Sequence, residues 1–140
     1  MRVLIDTCVI VDAIRDRKPF SDSAQQILLM AERGYLEGFI SANQLTDLHY
    51  LIRRETHSSS LAEDILKQLT KTIKIIDTTS DDCRRALVSG RNDFEDALEI
   101  ESAIREDMDY IITRNTKDYA DSPVQVYTPE QFVREMAIGN

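Results

Sequence analysis

A chain of 140 residues with 42% hydrophobic and 30% charged side chains suits a single domain, 1–140, large enough to bury roughly two-thirds of its unfolded surface and to fold without staples. No apolar run approaches the ~20 residues that span a bilayer, and the first residues lack a signal-peptide pattern, so a cytoplasmic protein with no membrane contact is expected. The net charge of −8 argues against a protein that coats nucleic acid nonspecifically; any such contact has to be local or helped by a metal ion.

The first element predicted is a buried parallel strand, Arg2 to Ile5, that stops at Asp6 and Thr7. A helix follows Thr7 through Val9, Ile10, Ala13 and Ile14, and a second follows Pro19 with Ala24, Ile27, Leu28 and Ala31 on one face and Gly34 as its stop. Leu36 to Ile40 reads as a strand, and Ser41 to Asn43 supplies N-cap chemistry for a helix carrying Leu45, Leu48 and Ile52. Ser60 with Glu63 forms a capping-box pattern for the next helix, and Ile73 to Ile76 is a short β-branched run ending at Asp77. A helix around Asp82 to Val88 leads through Ser89-Gly90 to a longer one from Phe94 to about Glu106. A strand at Tyr110 to Thr113 comes next, then a strand at Val124 to Tyr127. Thr128-Pro129-Glu130-Gln131 opens the last helix, with Pro at the first helical position. Alternating strands and helices predict an α/β fold, one small parallel sheet flanked by helices on both faces. Cys8 and Cys83 are too few for a disulfide framework and have no zinc-ligand spacing, so both are expected reduced and half-buried.

Four aspartates stand where a buried element ends or a helix begins. In open α/β sheets functional groups gather at the carboxyl ends of strands, which is where Asp6 falls. On the helix from Phe94, Phe94, Ala97, Leu98, Ile100 and Ile104 define an apolar arc, with Glu95, Glu99 and Glu106 opposite as a solvated face. Asp96 lies at the edge of the arc, in the first turn, where the helix dipole favours an anion. Asp93 at the head of this helix suits an N-cap first and a supporting metal or water contact second. Asp47 repeats the Asp96 pattern, away from the Leu45, Leu48 and Ile52 face. In Tyr110 to Tyr119, Thr113, Asn115 and Asp118 present oxygens, while Arg114 and Lys117 can meet phosphate.

If Asp6, Asp47, Asp96 and Asp118 converge, two carboxylates ~5 Å apart at an effective dielectric near 20 repel by about 3 kcal/mol. Six such pairs would rival a fold stability of ~5–15 kcal/mol, so protons or a hard divalent cation must offset the charge. Carboxylate ligands without nearby thiolate or imidazole favour Mg2+, with Mn2+ as a substitute, and such a site suits hydrolysis of a phosphodiester.

These residues resemble those of the PIN-domain family, in particular its VapC-type toxin ribonucleases. The marks are Val-Leu-Ile-Asp6-Thr7, Ile-Ser41-Ala-Asn through Asp47, Asp93-Phe-Glu-Asp96-Ala97, Ile-Ile-Thr113-Arg114-Asn115-Thr-Lys-Asp118-Tyr and Tyr-Thr-Pro129-Glu-Gln-Phe132, in order across essentially the whole chain. The resemblance implies a Mg2+-dependent endoribonuclease that acts on RNA, a homodimer, and inhibition by a cognate antitoxin whose tail enters the site. It implies an acidic quartet of Asp6, Asp47, Asp96 and Asp118, supported by Thr7, Ser41, Thr113 and Asn115. Two positions depart from the family pattern. Asp47 stands where the longer Glu is more frequent, which would put a water between its carboxylate and a metal. Many relatives carry the last acid at the position of Asn115, so either Asn115 or Asp118 fills the fourth place.

A receiver-like phosphoacceptor would need a second acid beside Asp6, where Thr7 stands, and a haloacid-dehalogenase-like phosphatase would need an Asp at Cys8. The stronger alternative is a non-catalytic PIN-like module that binds RNA or protein. His49 on an apolar arc and His57 in a Ser-rich turn read as packing and solvent respectively, not as general bases. Arg53, Arg54, Lys67 and Lys71 read first as solvated helix faces and only second as a groove for RNA or an acidic partner.

Overall fold

The computed structural model describes residues 1–138. Five strands, β1 (Arg2–Ile5), β2 (Glu37–Ser41), β3 (Lys74–Ile76), β4 (Tyr110–Ile112) and β5 (Gln125–Tyr127), pair in parallel in the order β3-β2-β1-β4-β5. Around them run α1 (Thr7–Ile14), α2 (Ser21–Glu32), α3 (Ala42–Thr56), α4 (Ser59–Leu69), α5 (Ser80–Val88), α6 (Phe94–Arg105) and α7 (Pro129–Ile138), with a single 3₁₀ turn at Thr116–Tyr119. This is the expected α/β arrangement. Among the described residues no helix is long and apolar enough to cross a membrane.

Strand periodicity assigns the two cores. Val3 and Ile5 of β1, Ile40 of β2 and Ile112 of β4 turn toward α1, α2, α3, α4 and α7, where Ile10, Ile27, Leu48, Ala62 and Phe132 are buried. Leu4, Phe39 and Ile111 point the opposite way and meet Ile100 and Ala103 of α6. The register Leu4↔Phe39 and Leu4↔Ile111 keeps these side chains level across three strands. At Gly38 the first sheet face comes close: a Cβ there would stand 2.7 Å from Ile73 Cδ1 and 3.2 Å from Ile5 Cδ1. A buried cluster of Ala86, Ala97 and Leu98 joins α5 to α6.

Most element ends fall within two residues of the expectation, and the differences have local causes. The strand expected at Leu36 to Ile40 ends one residue later, so Ser41 is both its last residue and the cap of α3. Ser58, not Ser60, caps α4 by accepting from the Leu61 amide, because His57 in the left-handed conformation (φ 56°) ends α3 and restarts the chain at once. α5 begins earlier, at Ser80, with Thr79 and Asp82 in a reciprocal capping box. Asp82 is fully buried, holds Arg105 Nε at 2.9 Å and accepts from Ser102 at 3.2 Å, an ion pair the helix pattern alone does not reveal. Cys8 and Cys83 are free and half-buried, as expected.

Candidate active site

β1 is the central strand from which the chain builds the sheet in both directions, and the carboxyl ends of β1, β2 and β4 meet there. Those ends deliver Asp6, Ser41 and Thr113.

Asp6 is the N-cap of α1. Its amide donates to Ile112 O at 2.9 Å, which ties it to the end of β4, and its Oδ1 accepts from the Thr7 amide at 2.8 Å. Oδ2 accepts from the Thr113 hydroxyl at 2.6 Å and from Cys8 Sγ at 3.5 Å. Burial raises the Asp6 pKa, the donors from Thr113, Thr7 and Cys8 oppose the rise, and the Asp118 charge adds to it. The same burial, together with the Asp6 charge, pushes the Cys8 thiol up to about 11, so it stays a protonated donor.

α6 brings the second group of acids. Asp93 caps it by accepting from the Asp96 amide at 3.0 Å, the first of the two roles expected for it. The Asp96 carboxyl is pushed up to about 6, by burial first and then by the charges of Asp93 and Asp6, while the Tyr119 phenol pulls the other way. Tyr119 is itself buried, and burial plus the charges of Asp6, Asp96 and Glu99 raise its pKa.

Glu99 corrects the expectation. The helical pattern puts it with Glu95 and Glu106 on a solvated face, yet it is only 5% exposed, whereas Phe94 and Ile104 of the apolar arc are 44% and 37% exposed. α6 packs against both the sheet and α5, so its buried sector is wider than one arc drawn through its apolar residues. The Ser41 hydroxyl donates to Glu99 Oε1 at 2.9 Å, and Glu99 Oε2 has no hydrogen-bond partner. Burial first, then the Asp6 and Asp47 charges, lift this carboxyl to about 7 against the opposing pull of the Ser41 hydroxyl and the nearby Asn43 side chain. One signal in the sequence could have found it: Glu99 stands three residues after Asp96, on the same side of the helix.

α3 is locked to β1 by Gln44, whose Nε2 donates to Ile5 O at 2.7 Å and whose Oε1 accepts from the Ser41 amide at 2.8 Å. That lock brings Asp47 over the groove, where its charge is the main cause of a raised pKa at Glu95.

Two adjoining hollows form the groove and share Asp6, Thr7, Leu51 and Asp96. One, of about 270 Å³, is acidic, with Asp47, Glu95 and Glu99 added to the shared pair. The other, of about 320 Å³, adds Arg15, Arg17, Arg54, Arg114 and Asn115. Asp6, Asp47 and Asp96 are therefore brought together, with Ser41 and Thr113 buried behind them. Asp118 and Lys117 instead line a neighbouring hollow with Arg91 and Asp93, so it is Asn115 that shares a hollow with Asp6. Arg114, expected to meet phosphate, is already engaged: its Nε lies 3.0 Å from Oδ2 of the buried Asp12, and its guanidinium stacks 4.4 Å from the Phe20 ring centre. Asp12 escaped the sequence reading, because a buried acid inside an apolar helix is visible only through its partner. His49 is half-buried and His57 exposed, in accord with roles in packing and solvent.

The acidic hollow suits a hard divalent cation. Its donors are carboxylate and hydroxyl oxygens, the charges of Asp6, Asp47 and Asp96 raise one another's or their neighbours' pKa values, and Glu99 Oε2 is a buried acceptor without a donor. Among the described residues no three His, Cys, Asp or Glu side chains are yet drawn close enough to grip an ion together. The ligands would close on it by rotamer changes within the groove.

A family model described as PIN domain matches residues 2–117. Among solved structures, a toxin–antitoxin complex from Klebsiella pneumoniae is similar at 25% identity, with a TM-score of 0.69 over 91% of this chain and 97% of that one. VapBC2 from Rickettsia felis, bound to a DNA fragment from its promoter, shares the fold at 22% identity and a TM-score of 0.68, over 91% and 98% of the two chains. VapC20 of Mycobacterium tuberculosis, a toxin that cleaves the sarcin–ricin loop, shares it at 14% identity and a TM-score of 0.60, over 78% and 86%. No curated protein sequence gives a significant match.

Proposed function

Because the chain belongs to the PIN-domain family, we propose that it is a metal-dependent endoribonuclease, the toxin of a toxin–antitoxin pair, acting in the cytoplasm. The observation that carries this reading is the convergence of Asp6, Asp47 and Asp96 on one groove at the carboxyl ends of the central strands. An antitoxin partner is in keeping with the similar structures, several of which are toxin–antitoxin complexes.

Mg2+, or Mn2+ in its place, would be held by Asp6, Asp96 and Asp47, with Asn115 or Asp118 at the fourth position. When bound, it would activate water and neutralise charge developing on a phosphodiester. The remaining work belongs to the chain. Thr113, Thr7 and Cys8 hold the Asp6 carboxylate in one orientation and oppose the rise in pKa that its burial causes. Asp93 fixes the first turn of α6 and with it Asp96. The basic hollow carries RNA phosphates past the acids: Arg15 is paired with Glu55 at 2.6 Å, and Arg114 and Arg17 with Asp12 at 3.0 and 3.9 Å, which leaves Arg54 as the arginine there without a carboxylate partner among the described residues. An antitoxin segment entering the same groove would exclude RNA. A homodimer is part of this reading, and Leu87, Val88 and Phe94, where α5 ends and α6 begins, are exposed apolar side chains that an interface could cover.

Incubating the purified protein with single-stranded and structured RNAs, in Mg2+, Mn2+ or chelator, tests this reading. Metal-dependent cutting lost in Asp6→Asn and Asp96→Asn supports it. Cutting retained in both variants sinks it. The placement of Asp118 outside the groove and the short Asp47 favour one alternative, a PIN-like binding module, which would hold RNA or protein without cleaving and need not bind metal.

A further inference from the structure

We propose that Glu99 is an additional ligand of the site and that, with Asp6 and Asp47, it holds a divalent cation in the acidic hollow. The inference rests on the nuclease reading and deepens it. Glu99 lines that hollow together with Asp6 and Asp47, so a cation there has all three carboxylates as walls. Its two oxygens are treated differently: Oε1 is fixed by the Ser41 hydroxyl at 2.9 Å, whereas Oε2 is buried and has no donor. A buried carboxylate oxygen without a partner forfeits its hydration with nothing in return, and a cation or a cation-bound water supplies the missing contact. A purely structural acid at this position would be satisfied at both oxygens, as buried Asp82 is by Arg105, Ser102 and Thr79.

The arrangement also accounts for the short Asp47. One methylene fewer than Glu on α3 draws that carboxylate back toward its own helix, and Glu99 from α6 supplies a second carboxylate to the same hollow. Ser41 acts as the orienting partner, fixing one oxygen of Glu99 and leaving the other without a donor, as hydrogen-bonded carboxylates commonly are around metals.

Calorimetric titration of the full chain with Mn2+ tests this, with melting temperature recorded beside it. Glu99→Gln keeps the acceptor for Ser41 and removes the charge. It is expected to weaken Mn2+ binding about tenfold or more while melting at or above the temperature of the metal-free parent. Adding Asp47→Glu to Glu99→Gln is expected to restore most of the affinity, which a merely structural role would not produce. If Glu99→Gln does not fold, Glu99→Asp takes its place and must weaken Mn2+ binding likewise. Unchanged affinity in the Glu99 variant, with binding lost in Asp6→Asn, overturns the role of Glu99 and leaves the nuclease reading standing. Absence of Mn2+ binding by the parent protein overturns both.

Discussion

The Thr113 hydroxyl donates to Asp6 Oδ2 at 2.6 Å across a sequence separation of 107 residues. It joins the end of β4 to the end of β1 and leaves Thr113 fully buried behind the carboxylate it orients. The same hydroxyl accepts from the Asn115 amide at 3.0 Å, so one side chain fixes the first acid and begins the turn toward the last. Thr113→Val removes both functions with little change in volume. Without the donor the Asp6 pKa rises further, so cleavage is expected to fall about 10–100-fold and its acidic limb to move to higher pH. Rates measured across pH for the parent and the variant check this, and an unshifted profile would refute the orienting role.

Buried acids make the metal-free protein less stable as they ionise. Folding raises the pKa of Asp96 to about 6 and of Glu99 to about 7, so across this window the native state binds more protons than the unfolded one. Stability is then greatest below the unfolded carboxylate values and is lost as pH rises through the folded ones. The melting temperature of the metal-free parent, relative to the double variant Asp96→Asn/Glu99→Gln, should therefore fall between about pH 4 and about pH 7. Saturating Mn2+ should reduce that fall. Parallel curves for the two proteins would contradict the sign.

Arg54 lines the basic hollow beside Asp6 and lies 5.9 Å from the Tyr50 ring centre. Arg54→Ala should weaken RNA binding and lower the slope of log affinity against log salt by about 1, with Mn2+ binding unchanged. Binding isotherms at several salt concentrations decide it; an unaltered slope would remove Arg54 from the RNA path.

Asp82 offers a contrast to the groove acids. Its pKa is lowered: burial opposes ionisation, but hydrogen bonds from Arg105 and Thr79 and the charge of Arg105 outweigh it. Asp82→Ala removes the acceptor for the Thr79 amide in the capping box of α5 and leaves Arg105 with Glu106 and the Asp77 carbonyl, at an expected cost of about 2–3 kcal/mol. Urea unfolding measures the loss. Below the unfolding transition, cleavage by the folded fraction should match the parent.

Gly38→Ala inserts a methyl 2.7 Å from Ile73 Cδ1. The end of the Ile73 side chain can yield, so the expected destabilisation is moderate, about 1–3 kcal/mol, with metal affinity retained. A midpoint equal to that of the parent would show that the sheet face accommodates the methyl without strain.

The sequence by itself determined the alternation of elements, because apolar periodicity and capping residues are local. Ser41, Asp93 and Thr128 cap the helices expected of them, and the strand ends at Asp6 and Thr113 follow from short apolar runs. It also placed Asp6 at a strand end and Asp96 in a first turn, where a parallel sheet gathers its chemistry, whereas Asp47, expected in the first turn of α3, lies in the second because the helix starts at Ala42. Only the tertiary structure decided which acids share a hollow. Asp118 and Asn115 stand three positions apart, yet the turn after β4 sends them to different hollows. Glu99 is polar and helical, and nothing local separates it from a solvated residue. Its burial follows from α6 packing on the sheet and α5 together, and its orientation from Ser41, 58 residues earlier in the chain. Asp12 and Asp82 were hidden for the same reason: a buried charge is tolerated only beside its partner, and the partners Arg114 and Arg105 arrive through the fold.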